Sequence, residues 1–343
     1  MSRPLPRCWQ PVRRWQVTEV RSLCLALLVV LGVALSGSAA QAQPRFPQRA
    51  VHLIVPFPPG GSTDIVARAI AQAMSDGFGQ PVIIDNRPGA GGSIGVEAAV
   101  RAPADGYTLV MGHIGTLAVN PALYAHLPYD PLRDLAPIDL IALVPNILVV
   151  HPSLPASTVQ ELVALLRARP GAYSYASGGA GSAAHLAVEY FKLVTGTDIV
   201  HVPYKGTGPA MTDLLGGQVA LTMTGLPPLA PQIRAGRVRA LAVAGNQRLA
   251  QMPNLPTVAE SGYPGFAATQ WYGLLAPAGT PAAVIDRLHA EVVRSLALPA
   301  VRMRLEAEGA EPVDSSPARF AAFIRAEIER WGKVVRDARI RAD

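Results

Sequence analysis

The chain has 343 residues, half of them hydrophobic and 16% charged, with 30 Lys and Arg against 24 Asp and Glu for a formal charge of +6. That length accommodates two domains with well-formed cores. The basic excess is a poor argument for a nucleic-acid partner, because five of the arginines (Arg3, Arg7, Arg13, Arg14 and Arg21) and a single acid, Glu19, precede residue 43. Residues 43–343 then carry 25 basic and 23 acidic side chains, a net +2 (30 − 5 against 24 − 1), with no basic run and no helix-turn-helix pattern.

The first segment decides the compartment. After the arginines comes an apolar run from Leu23 to Leu35, and then Ala40-Gln41-Ala42. Basic, apolar and small-residue regions in that order predict a secretory signal peptide over 1–42, cut after Ala42. The run is too short for a membrane span, which needs about 20 residues. Arg13-Arg14 suggests the twin-arginine route, although its surroundings fit that pattern badly. Both cysteines, Cys8 and Cys24, fall in the removed segment, so the exported protein is expected to have no disulfide. Cys24 opens the apolar run rather than following it, which argues against a lipoprotein site.

Strands and helices then alternate. Val51–Phe57 reads as a buried strand, 58–62 as a turn and Thr63–Ser75 as a helix with Ile65, Ala69 and Ala73 at helical spacing. Pro81–Asn86, Ser93–Arg101 and Tyr107–Met111 repeat the theme. A second set begins at Ile147–Val150. The helix Thr158–Ala168 opens with Thr158 and Glu161 in capping-box spacing, and Val159, Leu162, Val163 and Leu166 form its stripe. Tyr173–Tyr175, Ser182–Thr195, Ile199–Val202, Thr207–Leu215, Val219–Met223 and Leu241–Ala244 continue the alternation. Tyr272–Leu275 follows, then helices at Pro281–Leu296 and Val301–Glu308. Last comes a long helix that Ser316 caps and Pro317 opens, with Phe320, Ile324, Ile328, Trp331 and Val335 along one side. The pattern predicts α/β architecture with parallel sheets covered on both faces. Segments near Asp139–Asn146 and Pro253–Pro264 read as connections. The predicted division is a discontinuous domain 1 (43–145 plus 266–343) and a domain 2 (146–265), joined by a two-crossing hinge with a ligand cleft between them.

Three strand-to-helix loops carry the chemistry. In Val55-Pro56-Phe57-Pro58-Pro59-Gly60-Gly61-Ser62-Thr63-Asp64, Gly60 and Gly61 let the backbone approach a ligand, and the amides of Ser62, Thr63 and Asp64 open a helix. Free N–H groups and the helix dipole make an anion site there that suits a carboxylate. A plain tight turn capped by Ser62 or Thr63 is the alternative. Val202-Pro203-Tyr204-Lys205-Gly206-Thr207-Gly208-Pro209 has the same topology in the second half, and Lys205 there either adds charge or is simply solvated. Ser177-Gly178-Gly179-Ala180-Gly181-Ser182 opens a third helix, with His185 one turn in. The first loop lacks the Gly-Lys-Ser/Thr ending of a phosphate loop, and Gly89-Ala90-Gly91-Gly92 gives no dinucleotide fingerprint. No Gly-x-Ser-x-Gly elbow and no His-Glu-x-x-His exist, so neither catalysis, nor a metal, nor a cofactor is expected.

Taken in order, Val55–Asp64, Ile84–Gly92, Asp105-Gly106-Tyr107-Thr108-Leu109, Val202–Gly206, Leu214–Val219 and Ala240–Val243 resemble the Bug family, the solute-binding receptors of tripartite tricarboxylate transporters. The resemblance runs from about Phe46 to Arg336. It implies a two-lobed type II periplasmic-binding-protein fold, two doubly wound sheets closing around a small carboxylate. It also implies a periplasmic monomer that meets its membrane subunits transiently. In that reading 58–64 and 204–207 pinch one carboxylate through backbone amides and waters. Phe57, Pro59, His113, Thr116, Gly179, Ser182 and Thr224 complete the expected site. The family often has an acid followed by Asn where this chain has Thr224-Gly225, so an ammonium partner is missing. At His113 it more often has a small polar residue, and His113 either meets a second carboxylate or packs at its strand end. Alternative readings are a receptor for a different transporter class, an orphan sensor for a signalling kinase, the effector domain of a regulator, and an enzyme on the same fold.

Overall fold

The computed structural model describes residues 46–307 and 309–340, so the signal-peptide segment and its cleavage point lie outside the described residues. Strands β1 (Val51–Val55), β2 (Val82–Asn86) and β3 (Thr108–His113) pair in parallel with β1 in the middle. Val51, Leu53 and Val55 pack on one side against Val66, Ile70 and Met74 of helix α1 (Ser62–Phe78). Ile54 points to the opposite side, into the cluster that holds Val96 of helix α2 (Ser93–Val100). A strand buried on both faces has no use for alternation, which is why its sequence is a near-continuous apolar run.

Beyond this parallel trio the sheet is mixed. Strand β9 (Thr269–Pro277) enters between β3 and β4 (Leu135–Val150) and runs antiparallel to both. The segment Asp139–Asn146, expected as a connection, is the middle of the 16-residue β4. Register shifts between Pro137 and Asp139 and between Leu140 and Ala142 break its period of two and hid it. Up to Pro145, β4 pairs with β9; from Asn146 onward it pairs with β7 (Leu221–Gly225), and from Ile147 also with β8 (Arg239–Val243). One strand therefore belongs to two sheets. The second sheet continues from β7 to β5 (Ser174–Ser177) and β6 (Val200–Pro203), which are parallel. The chain crosses a second time through irregular residues 244–268, between β8 and β9.

Between these strands lie α3 (Asn120–Leu123), α4 (Val159–Ala168), α5 (Ala183–Thr195), α6 (Thr207–Leu215), α7 (Leu226–Arg234), α8 (Ala282–Ala297) and α9 (Pro299–Ala307). A two-residue strand β10 (Glu311–Pro312) on β4 precedes the long α10 (Pro317–Asp337). Thr158 caps α4 by accepting from the Glu161 N–H, while Glu161 reaches back to the Ser157 N–H. Helix α7 was not legible in sequence, since Pro227, Pro228 and Pro231 argue against a helix; the first two occupy its opening turn, where no N–H partner is needed. Ser316 caps α10 as expected. Its Glu327 is buried and accepts from the indoles of both Trp271 and Trp331. No helix of the described residues is long and apolar enough to cross a membrane.

One buried acid lies outside the cleft. Asp139 is 1% exposed, and burial pushes its carboxyl up to about 6, partly opposed by His289 at 2.9 Å. A carboxyl held above its unfolded value binds its proton more tightly in the folded state. Its contribution therefore favours folding at low pH and is lost as pH rises from about 4 through about 6. Asp139→Asn is expected to raise the melting temperature at pH 7 and to flatten the stability profile across that window, read by thermal unfolding against pH. An unchanged profile would refute the assignment.

Candidate functional site

The loop from β1 to α1 is shaped by side chains behind it. Asp64 accepts from the Gly60 N–H at 3.0 Å, from Arg68 at 2.9 Å and from Asn86 at 3.0 Å, and Asn86 also donates to the Phe57 carbonyl. Burial resists ionisation of Asp64, but its bonds from Arg68, Gly60 and Asn86 outweigh this and hold its pKa below the ordinary carboxylate range. Asp64 thus braces the loop with its carboxylate, while its amide lies at the helix start. Asp64→Ala should cost about 1–3 kcal/mol from the orphaned donors, seen as a lower urea midpoint at neutral pH. The wild type loses that margin as pH falls through the depressed pKa.

Because the first helical bond of α1 runs from Ile65 N–H to the Gly61 carbonyl, the amides of Ser62, Thr63 and Asp64 precede the helical ladder. The start of α6 faces them. A β-carbon built on Gly206 would stand 2.7 Å from Pro58 Cγ, and one on Gly61 would stand 3.5 Å from Thr207 Oγ1. The two loops are therefore pressed together across the cleft. Tyr204 steadies the second loop by donating to Asp213 at 2.6 Å, and burial with that neighbouring carboxylate pushes its phenol up to about 12. The third helix start, at α5, contributes Ser182, whose hydroxyl accepts from the His185 N–H.

Beneath the joined loops lies a cavity of about 40 Å³, lined by Phe57, Pro58, Gly61, Ser62, Thr63, His113, Gly178, Ser182, Ala183, Ala184, Gly206, Thr207, Thr224 and Gln270. Outside them a cavity of about 390 Å³ is lined by Phe57, Pro58, residues 88–92, Gly178, Gly179, Tyr204, Lys205 and Gly206. The predicted Gly179, Tyr204 and Lys205 thus belong to the outer space. Pro59 and Gly60 are exposed and line neither. Thr116 is fully buried behind His113, exchanging bonds with its backbone N–H and carbonyl. Sequence reasoning missed Gln270, Ala183 and Ala184, and set Gly89-Ala90-Gly91-Gly92 aside as a failed nucleotide loop, whereas these residues wall the outer cavity.

Among the described residues no Lys, Arg, Asp or Glu lines the inner wall. His113 is 3% exposed, and burial pulls its pKa down to about 4, a little offset by its bond with Gln270. Its Nδ1 accepts from the Gly115 N–H at 2.9 Å, which fixes the neutral ring with its proton on Nε2. Ser62 and Thr63 are buried, and their hydroxyls hydrogen-bond to the phenol of Tyr272 behind them. The cavity therefore offers amide and hydroxyl donors at helix starts and no counter-ion, a combination suited to one anionic group. Among the described residues no cluster of three or more His, Cys, Asp or Glu could hold a metal.

Two lobes that share β4, with donor-rich loops meeting over a cleft, define a solute-binding protein. Residues 66–340 match the model of the tripartite tricarboxylate transporter family receptor, and the chain belongs to that family. It is 43% identical to BugT of Bordetella pertussis over 315 residues, 91% of this chain and 97% of BugT. A solved structure of an R. palustris protein with adipate is 41% identical with a TM-score of 0.84, covering 86% of this chain and 99% of that one. MatC from Rhodopseudomonas palustris, solved with bound malate, is 35% identical with a TM-score of 0.81, covering 84% and 100%. The chain is accordingly a two-lobed α/β receptor of the Bug type and not an enzyme.

Proposed function

We propose that the protein is exported to the periplasm, captures a small carboxylate beneath its two facing loops, and delivers it to the membrane subunits of a tripartite tricarboxylate-type transporter. The observation that carries this reading is the apposition of the α1 and α6 helix starts over a cavity without ionised side chains. A buried carboxylate is costly unless hydrogen-bonded, and a helix start supplies the N–H groups and partial positive charge that offset the cost. Gly61, Ser62, Thr63, Gly206 and Thr207 hold the carboxylate; His113, Ser182, Thr224 and Gln270 meet the rest of the ligand. Residues 43–145 with 266–343 form one lobe and 146–265 the other, the protein acting as a monomer that hinges at the two crossings.

The test is the molecule the protein carries. Mass spectrometry of freshly purified protein is expected to release a carboxylate. Adding it back should shrink the radius of gyration by X-ray scattering. Release of a sugar or a nucleotide, or a bound carboxylate with an unchanged radius, would refute the reading.

A further inference from the structure

A line of buried hydrogen bonds leads from the cavity to the hinge. Gln270, on the cavity wall, donates from Nε2 to Asn146 Oδ1 at 2.5 Å, and Asn146 donates from Nδ2 to the Ala268 carbonyl at 2.7 Å. Asn146 is the residue at which β4 passes from one sheet to the other, and Ala268 ends the second crossing just before β9. The Asn146 side chain therefore bridges the two strands on which the lobes turn. Backbone bonds complete the junction: Ala244 N–H donates to the Asn146 carbonyl and Ala268 N–H to the Ala244 carbonyl, both at 2.7 Å.

The polarity of the line is fixed at both ends. A carbonyl only accepts, so Asn146 must present Nδ2 to Ala268 and Oδ1 to Gln270. Gln270 must then donate to Asn146 and turn Oε1 back toward the cavity, where it accepts from Tyr272 Oη at 2.5 Å and bonds to the His113 ring. At the other end the Gly115 N–H occupies His113 Nδ1, leaving Nε2–H to donate to Gln270. Donor directions run the same way from Gly115 to Ala268, so each bond polarises the next. Asn146 is 2%, Gln270 4% and Tyr272 0% exposed, so any break orphans a buried polar group.

We propose that Asn146 and Gln270 are positioning residues that set the open–closed equilibrium of the cleft, holding the two crossings in the closed geometry and tying that geometry to the His113 wall. This rests on the proposed hinge between the lobes and, for its ligand arm, on the proposed receptor function. A ligand packed on His113 and Gln270 keeps the line intact and favours closure. Without the line the crossings lose their shared side-chain bridge, and the closed state becomes less populated.

The experiment uses the exported chain, which has no cysteine from residue 46 onward. Arg101→Cys and Arg169→Cys, exposed and in different lobes, carry spin labels for pulsed distance measurements. Asn146→Ala and Gln270→Leu are each expected to shift the ligand-free distribution toward wider separations. With adipate or malate as the probe, whichever the wild type binds, they should raise the dissociation rate roughly tenfold, with much less effect on association, and the double variant should be no worse than the stronger single one. Asn146→Ser, which keeps a small polar group, replaces Asn146→Ala if far-UV dichroism shows the latter unfolded. Asn146 does not line the inner cavity, so a merely ligand-contacting wall predicts wild-type distances and rates for the Asn146 variants, and that outcome overturns the proposal. Additive effects overturn it as well. Should wild-type protein bind no carboxylate, the receptor reading fails, while the ligand-free distances still decide the hinge role.

Discussion

Gly206→Val is expected to abolish carboxylate binding while the protein remains folded. Gly206 sits at φ +114°, in the region L side chains rarely adopt, and its β-carbon would lie 2.7 Å from Pro58 Cγ and 3.3 Å from Pro58 Cδ. Pro58 is a ring on the facing loop and cannot rotate out of the way, so the loops must separate. Separation removes one half of the donors from the carboxylate, each charge-assisted bond being worth about 1.5–3 kcal/mol. Losing two such bonds weakens binding by roughly 100-fold or more. Gly60→Val is a contrasting control: Gly60 is at φ +84°, but a β-carbon there meets nothing within 4 Å. Its cost is backbone strain of about 1–2 kcal/mol in stability, with a much smaller loss of affinity. Calorimetric titration of both variants with the released carboxylate separates steric blocking from strain. Equal losses at the two positions would refute the facing-loop geometry.

The difference between these two glycines shows what the sequence could and could not convey. Gly60 and Gly206 look alike in sequence, each in a strand-to-helix loop. That each loop presents the start of a helix was legible because strand, glycine and helix start are contiguous, and helix-start amides point outward whatever the side chains do. Which glycine meets the other lobe depends on contacts between residues more than a hundred positions apart. The bracing role of the Asp64 side chain was hidden for a related reason: its amide opens the helix, but no local pattern shows that its carboxylate turns back to Gly60, Arg68 and Asn86. Gln270 was invisible, being one amide in an apolar strand whose partner Asn146 is 124 residues away. Parallel strands such as Val51–Val55 declared themselves by continuous hydrophobicity. Strand β4 did not, because its bulges and its change of sheet scramble the period that sequence reading relies on.

Carboxylates are expected to stabilise the protein more than the amino acids from which they differ only by an ammonium group, and to do so with little dependence on pH. An ammonium needs a carboxylate partner, and among the described residues no Asp or Glu lines the inner cavity, where Thr224 stands. In a thermal-shift screen the gain follows RT ln(1 + [L]/Kd), so each pair of analogues reports its affinity ratio directly. Stronger stabilisation by amino acids would overturn the assignment. The pH profile adds an independent check. Among the described residues His113 is the one titratable side chain lining the inner cavity, and burial holds it neutral down to about 4. If it stays neutral in the complex, affinity is flat from about pH 5 to about pH 8 and falls only as the ligand's own carboxylate protonates. If instead the ligand drew a proton onto His113, affinity would fall tenfold for each pH unit above its free-state pKa, because binding would take up one proton. The Gly115 N–H at Nδ1 opposes that uptake, since a proton there would face another donor. Titration calorimetry across the range, in two buffers of different ionisation enthalpy, counts the protons: zero is expected, and one would show that His113 serves as a cationic partner after all.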